Sequence, residues 1–127
     1  MNLQEKYKKE IKRAVKKIID NYQPEKIVLY GSCARSLYPR SRRISPRQTN
    51  LKSESDIDLL IVKKSRQSPR RRITDVLNIL WPLDLTAPVE PIILTPQEFF
   101  RYTNNRHFLI EEILKQGKVL YEKERVS

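Results

Sequence analysis

The chain has 127 residues, of which 39% are hydrophobic, and it carries a formal charge of +11. That length suits one compact domain with a modest core, and the longest apolar run, Leu59-Leu60-Ile61-Val62, is far too short to cross a bilayer. Cys33 is the only cysteine, which excludes an intrachain disulfide and a thiolate metal cluster within one chain.

The excess of basic residues attracts polyanions, whether nucleic acid, nucleotides or an acidic protein face. A solvated basic surface accounts for it equally well. Met1 to Lys6 contain neither an apolar signal core nor a cleavage pattern, so the expected location is the cytoplasm, with no membrane partner.

Residues 3 to 22 form an expected amphipathic helix. Leu3, Tyr7, Ile11, Val15, Ile18 and Tyr22 recur at three- and four-residue spacing as one apolar stripe. Lysines fill much of the remaining surface, and Pro24 stops the helix. Ile27 to Tyr30 is a short strand running into Gly31-Ser32, a pair able to turn tightly beneath a phosphate. Cys33, Ala34 and Arg35 then open a helix. Residues 36 to 54 contain prolines, serines and many arginines without clean periodicity, and are expected to be an inserted basic loop.

Asp56 to Val62 is a second strand, alternating at first and then fully apolar like a buried central strand. Lys63 to Arg72 reads as a polar connector. Ile73, Val76, Leu77 and Leu80 have helical spacing, closed by Trp81-Pro82. Val89 to Leu94 is a third strand, and Pro91 within it requires an edge or a bulge. Thr95-Pro96-Gln97-Glu98 is a capping box with proline at the first helical position. A last helix from about His107 to Gln116 ends at Gly117, a left-handed cap signal, before a short strand at Val119 to Tyr121. The expected fold is α/β (α+β), a small mixed sheet of about three to five strands flanked by helices.

The chemistry concentrates in Gly31-Ser32, Asp56-x-Asp58 and Glu90. Alternate residues of a strand share a face, so Asp56 and Asp58 present their carboxylates side by side. Adjacent anions repel unless a cation compensates them, and Mg²⁺ is suited to carboxylate and phosphate oxygens. If the third strand lies beside the second, Glu90 completes a three-carboxylate site for in-line phosphoryl or nucleotidyl transfer. Ser32 and the turn amides then hold the outgoing phosphates. Each part alone also reads as an ordinary surface turn or strand residue; the combination and its order make the argument.

Gly31-Ser32-x-Ala34-Arg35 followed by Ser55-Asp56-Ile57-Asp58-Leu59-Leu60-Ile61-Val62 resembles the signature of minimal nucleotidyltransferase (MNT) domains. These belong to the DNA polymerase β-like nucleotidyltransferase superfamily, whose larger members include kanamycin nucleotidyltransferase and poly(A) polymerases. Val89 to Phe99 and Ile113 to Tyr121 resemble the family's third-carboxylate strand with its following helix and its C-terminal ending. Two departures are visible. Ser36 stands where the family usually has glycine, and the Ser32-to-Asp56 connection is about twice the usual length.

The resemblance implies that Asp56 and Asp58 ligate two Mg²⁺ ions and that Glu90 binds the catalytic ion and helps activate the acceptor hydroxyl. It implies that Gly31 and Ser32, with Arg35 as a further candidate, bind the triphosphate of ATP or another NTP. It also implies a protein partner of the HEPN type, modified in a toxin–antitoxin pair. Two other functions stay open: a non-catalytic module that neutralises a partner by docking through the C-terminal helix, and an RNA-binding protein using Arg40, Arg42, Arg43, Arg47 and Arg70 to Arg72. Self-association into a homo-oligomer stays open as well. His107, Cys33, Trp81, Phe99, Phe100, Phe108 and Tyr121 receive structural readings: a helix-start surface residue, a buried small side chain, and core or partner-facing apolar groups.

Overall fold

The computed structural model describes residues 1–39 and 51–124. Helix α1, Leu3–Tyr22, starts at Asn2, whose side chain accepts from the Glu5 amide at 2.8 Å. It ends at Gln23, which adopts a left-handed φ of 53° and donates its amide to the Ile19 carbonyl. The buried face carries Tyr7, Ile11, Ala14, Val15 and Ile18, as the apolar spacing requires, together with one carboxylate, Glu10.

Strand β1, Lys26–Tyr30, runs directly into α2, Gly31–Leu37. The helix therefore begins at the glycine, two residues before Cys33. Ser36 and Leu37, expected in the inserted loop, are buried residues of α2. Arg40, Arg42, Arg43 and Arg47 lie outside the described residues.

Strand β2, Ile57–Val62, leads to α3, Pro69–Leu80, and a 3₁₀ turn, Trp81–Leu83. The connector expected up to Arg72 is shorter than the composition suggests, because Ser68 and Pro69 supply an N-cap and a proline at the first turn. Strand β3, Val89–Leu94, is followed by α4, Pro96–Asn104, whose capping box is formed on both sides by Thr95 and Glu98. Helix α5, Phe108–Gln116, and strand β4, Lys118–Glu122, complete the described elements.

Gly117 departs from expectation: its φ of −77° and ψ of 163° are extended. Glycine is required there by approach, since a Cβ would sit 2.7 Å from Val28 Cγ1 and 2.9 Å from the Leu29 carbonyl oxygen.

The sheet has the order β3-β2-β1-β4. β1 pairs antiparallel with β2 and β4, and β2 pairs parallel with β3. Pro91 thus sits on an edge strand and β2 is central, both as the sequence demands. Ile27, Leu29, Ile57, Leu59, Ile61 and Ile93 face the main core under α1, α2 and α3. Val28, Leu60 and Ile92 face a smaller core formed with Ile110 and Ile113 of α5 and Phe99 of α4. Strand alternation therefore leaves Tyr30, Asp58 and Glu90 on the α4–α5 face. Trp81, Phe100 and Phe108 lie in neither core and are 84%, 70% and 79% exposed.

Candidate active site

Three strands place one residue each in a row. Asp58 opposes Tyr30 on β1 and lies beside Glu90 on β3. In-register neighbours share a face, so the phenol and both carboxylates project from the same side of the sheet. Asp56 lies one residue ahead of β2 and is half-buried.

Asp58 is pushed up to about 6, first by burial, then by the charges of Glu90 and Asp56, and by a hydrogen bond with the Glu90 side chain; Arg35 of α2 acts in the opposite direction. Tyr30 is pushed up to about 12 by burial and by the charges of Asp58 and Glu90. Two carboxyl groups on adjacent strands, one of them raised by burial and by its neighbour's charge, supply the kind of oxygen donors that a divalent ion such as Mg²⁺ takes. Asp58 and Glu90 fit such an ion. Asp56 acts on Asp58 electrostatically, and among the described residues no three His, Cys, Asp or Glu side chains are gathered closely enough to hold a metal.

The β1–α2 turn closes against Asp58. Gly31 has φ of +76°, in the left-handed region that favours glycine. A Cβ at this position would run into the Asp58 carboxylate. Ser32 follows, half-buried, and Arg35 is exposed one turn later. The structure thus brings Gly31 against Asp58, and Arg35 within its electrostatic reach.

Residues beyond the sequence candidates hold the row in place. The Tyr7 phenol lies 2.9 Å from the Lys52 carbonyl and 2.8 Å from that of Ser55, so it can donate to either in the segment leading to Asp56. Glu10, three residues further along α1, accepts from the amides of Thr86 and Ala87 at 2.8 and 3.0 Å and from the Thr86 hydroxyl. Those residues lead into β3 and Glu90. Burial alone would raise the Glu10 pKa, but the hydrogen bonds from Thr86 and Ala87 and the charge of Lys6 hold it below the ordinary value. Cys33 donates its thiol to the Asp56 carbonyl at 3.2 Å; burial, then Asp58 and Asp56, push it to about 11, which keeps it protonated. The signal for Glu10 was present in the sequence as a lone carboxylate on the apolar stripe. Tyr30 was detectable only through the register.

Other basic and aromatic candidates are engaged elsewhere. Arg72 is buried and pairs with Glu98 at 2.7 Å, and Arg71 pairs with Asp75 at 3.1 Å. Only Arg70 of that cluster is left without an ion pair among the described residues. His107 stands between Tyr102 and Phe108, with ring centroids 5.1 and 5.4 Å away. A cavity of about 770 Å³ opens at the other end of the strands, around Lys26, Val62 and Glu122. Its Lys26–Glu122 and Lys64–Glu25 pairs largely cancel its charge, and we assign the candidate chemistry to the carboxylate row.

A helix-flanked mixed sheet of four strands, in the order β3-β2-β1-β4, fits the nucleotidyltransferase class of fold. Residues 13–126 match the family described as "Polymerase beta, Nucleotidyltransferase", and the chain belongs to that family. Members of this family generally use an NTP and a divalent metal. No curated protein matches the chain. Among the described residues no helix is long and apolar enough to cross a membrane.

Proposed function

We propose that the protein is a Mg²⁺-dependent enzyme that transfers a nucleoside monophosphate, with AMP the first choice, from an NTP to a hydroxyl of a protein partner. The acceptor oxygen bonds to the α-phosphorus, the bond to the β-phosphate oxygen breaks, and pyrophosphate leaves with the electron pair. Glu90, beside Asp58, is suited to receive the hydroxyl proton. Asp58 and Glu90, with Asp56 drawn in, would hold two Mg²⁺ ions. Those ions, when bound, supply charge neutralisation at the attacking and leaving oxygens. Gly31 and Ser32 offer the turn to the triphosphate, and Arg35 offers a positive charge beside it.

One observation carries this reading: Asp58 and Glu90 are register neighbours on adjacent strands, with Gly31 closed against Asp58. A HEPN-type toxin partner follows from the minimal-nucleotidyltransferase resemblance, and we propose the antitoxin role on that ground. We take the cytoplasm as its location.

Titration of ATP with Mg²⁺ by calorimetry, wild type beside the Asp56→Asn/Asp58→Asn double variant, tests the site. Metal-dependent binding that disappears in the variant supports it, and labelled ATP then seeks the acceptor. Equal binding by both proteins would overturn the carboxylate assignment. A second reading, neutralisation by docking alone, is favoured by Asp56 standing outside a gathered cluster. Partner inhibition that survives both EDTA and the double variant would select it.

A further inference from the structure

A groove of about 510 Å³ runs along α1 on the side of the sheet away from Asp58 and Glu90. One stripe of the helix, Lys8, Ile11, Lys12, Val15, Lys16 and Ile19, forms its length. Asp20, Tyr38 at the end of α2, and Leu120 of the edge strand β4 complete the lining. Ile11 and Val15 are the buried floor, while Ile19, Tyr38 and Leu120 are half-buried and present apolar surface to the groove. Lys8, Lys12 and Lys16 stand exposed along one edge, spaced by one helical turn over about 12 Å.

The rim is positive and largely uncompensated. Among the described residues Asp20 is the only acid in the lining, and Lys16 takes it at 3.4 Å. Among the described residues Lys8, Lys12 and Lys118 join no ion pair. Lys8 and Lys118 place their ammonium groups 5.6 Å from the Tyr38 ring centroid, which keeps both charges at the groove. An apolar floor beneath a lysine rim, in which Lys8, Lys12 and Lys118 join no ion pair among the described residues, calls for a ligand that is apolar on one face and acidic along its edge.

We propose that this groove docks an acidic amphipathic helix of a partner protein. Apolar side chains at three- and four-residue spacing fill the floor over Ile19, Tyr38 and Leu120, and carboxylates on the flank meet Lys8, Lys12 and Lys118. A second copy of this chain is disfavoured, because a self-complementary contact would set one lysine row against another. A nucleic-acid strand matches the charge but finds one aromatic ring and an otherwise aliphatic floor. An acidic bilayer meets a concave surface rather than an apolar ridge. The site is on the opposite face from the carboxylates, so it leaves that row uncovered and stands whether or not nucleotide transfer is the reaction.

The test is amide NMR of the full chain titrated with a synthetic helix of about 14 residues bearing leucines on one face and glutamates elsewhere. A scrambled peptide of the same composition, a single-stranded RNA and phosphatidylserine vesicles are titrated alongside. The expected result is saturable shifts at Ile11, Lys12, Lys16, Ile19 and Leu120, stronger with the ordered peptide than with the scrambled one. Lys8→Glu/Lys12→Glu weakens that binding by at least about tenfold, and Ile19→Ser weakens it without a change in charge. Shifts scattered over the basic surface, equal binding by the scrambled peptide, or tighter binding of RNA or vesicles at these residues overturns the proposal.

Discussion

Asp58 sits where burial and like charge act together. A carboxyl raised in the folded state is costly when ionised, so its destabilising effect is absent below its ordinary value of 3.8 and complete above about 6. The full displacement corresponds to about 3 kcal/mol, and screening of a half-exposed group reduces this to about 1 kcal/mol. Asp58→Asn, measured by thermal denaturation in EDTA, is therefore expected to raise the melting temperature at pH 8 and to leave it nearly unchanged at pH 4. Added Mg²⁺ is expected to stabilise the wild type and not the variant. A variant less stable than wild type at pH 8 would show that Asp58 is needed for packing rather than repelled by its neighbours. Gly31 is constrained at the same point: φ and the approach of Asp58 both exclude a side chain.

Helix α1 connects elements that the sequence keeps far apart. Tyr7 fixes the segment before Asp56, and Glu10 fixes the segment before Glu90. Tyr7→Phe and Glu10→Gln are each expected to cost about 1–2 kcal/mol. Both should weaken metal-dependent ATP binding, because the two carboxylate-bearing strands lose their common anchor. Asn2→Ala, which removes the α1 cap, costs about 1 kcal/mol and provides the control: calorimetry should find its ATP affinity unchanged. Equal losses in all three variants would reduce Tyr7 and Glu10 to ordinary stability.

The pH response of the Glu10 anchor has a definite sign. Its folded pKa is depressed, so its contribution is full above the ordinary value of 4.5 and is lost as the pH falls below it. The melting curve of Glu10→Gln should be flatter than that of wild type on that acid side.

Most of these elements were legible in the sequence because each carries a local signal. The stripe from Tyr7 to Ile18 gave α1, Thr95 and Glu98 gave the start of α4, and Pro91 gave the edge position of β3. The carboxylates were legible as a pattern, and their pairing depended on β3 lying beside β2, which no local signal encodes. Ser68-Pro69 was a cap signal outweighed by the basic composition around it. Arg72 could not be separated from its exposed neighbours, because its partner Glu98 is distant in sequence. Gly117 has a common reason for glycine at a helix end, whereas the actual reason, contact with Val28 and Leu29, is tertiary.

Across the whole molecule, 26 basic residues face 15 acidic ones. Such an imbalance repels itself in the compact state, and salt relieves the repulsion. The opposing effect is loss of ion pairs, but Lys16–Asp20, Lys64–Glu25 and Arg106–Glu111 are exposed at 3.4 to 3.7 Å and contribute little. Among the described residues Arg72–Glu98 is the strong pair, and with Arg72 buried it is weakly screened. The melting temperature is therefore expected to rise between about 0.02 and about 0.3 M NaCl, as the Debye length contracts. Circular dichroism is the appropriate probe, since Trp81 is the only tryptophan and is already exposed in the folded state. A monotonic fall would mean that the ion pairs outweigh the repulsion. A rise reproduced by millimolar ATP without metal, at far lower ionic strength, would mean that the basic surface binds polyanions directly rather than being relieved by general screening.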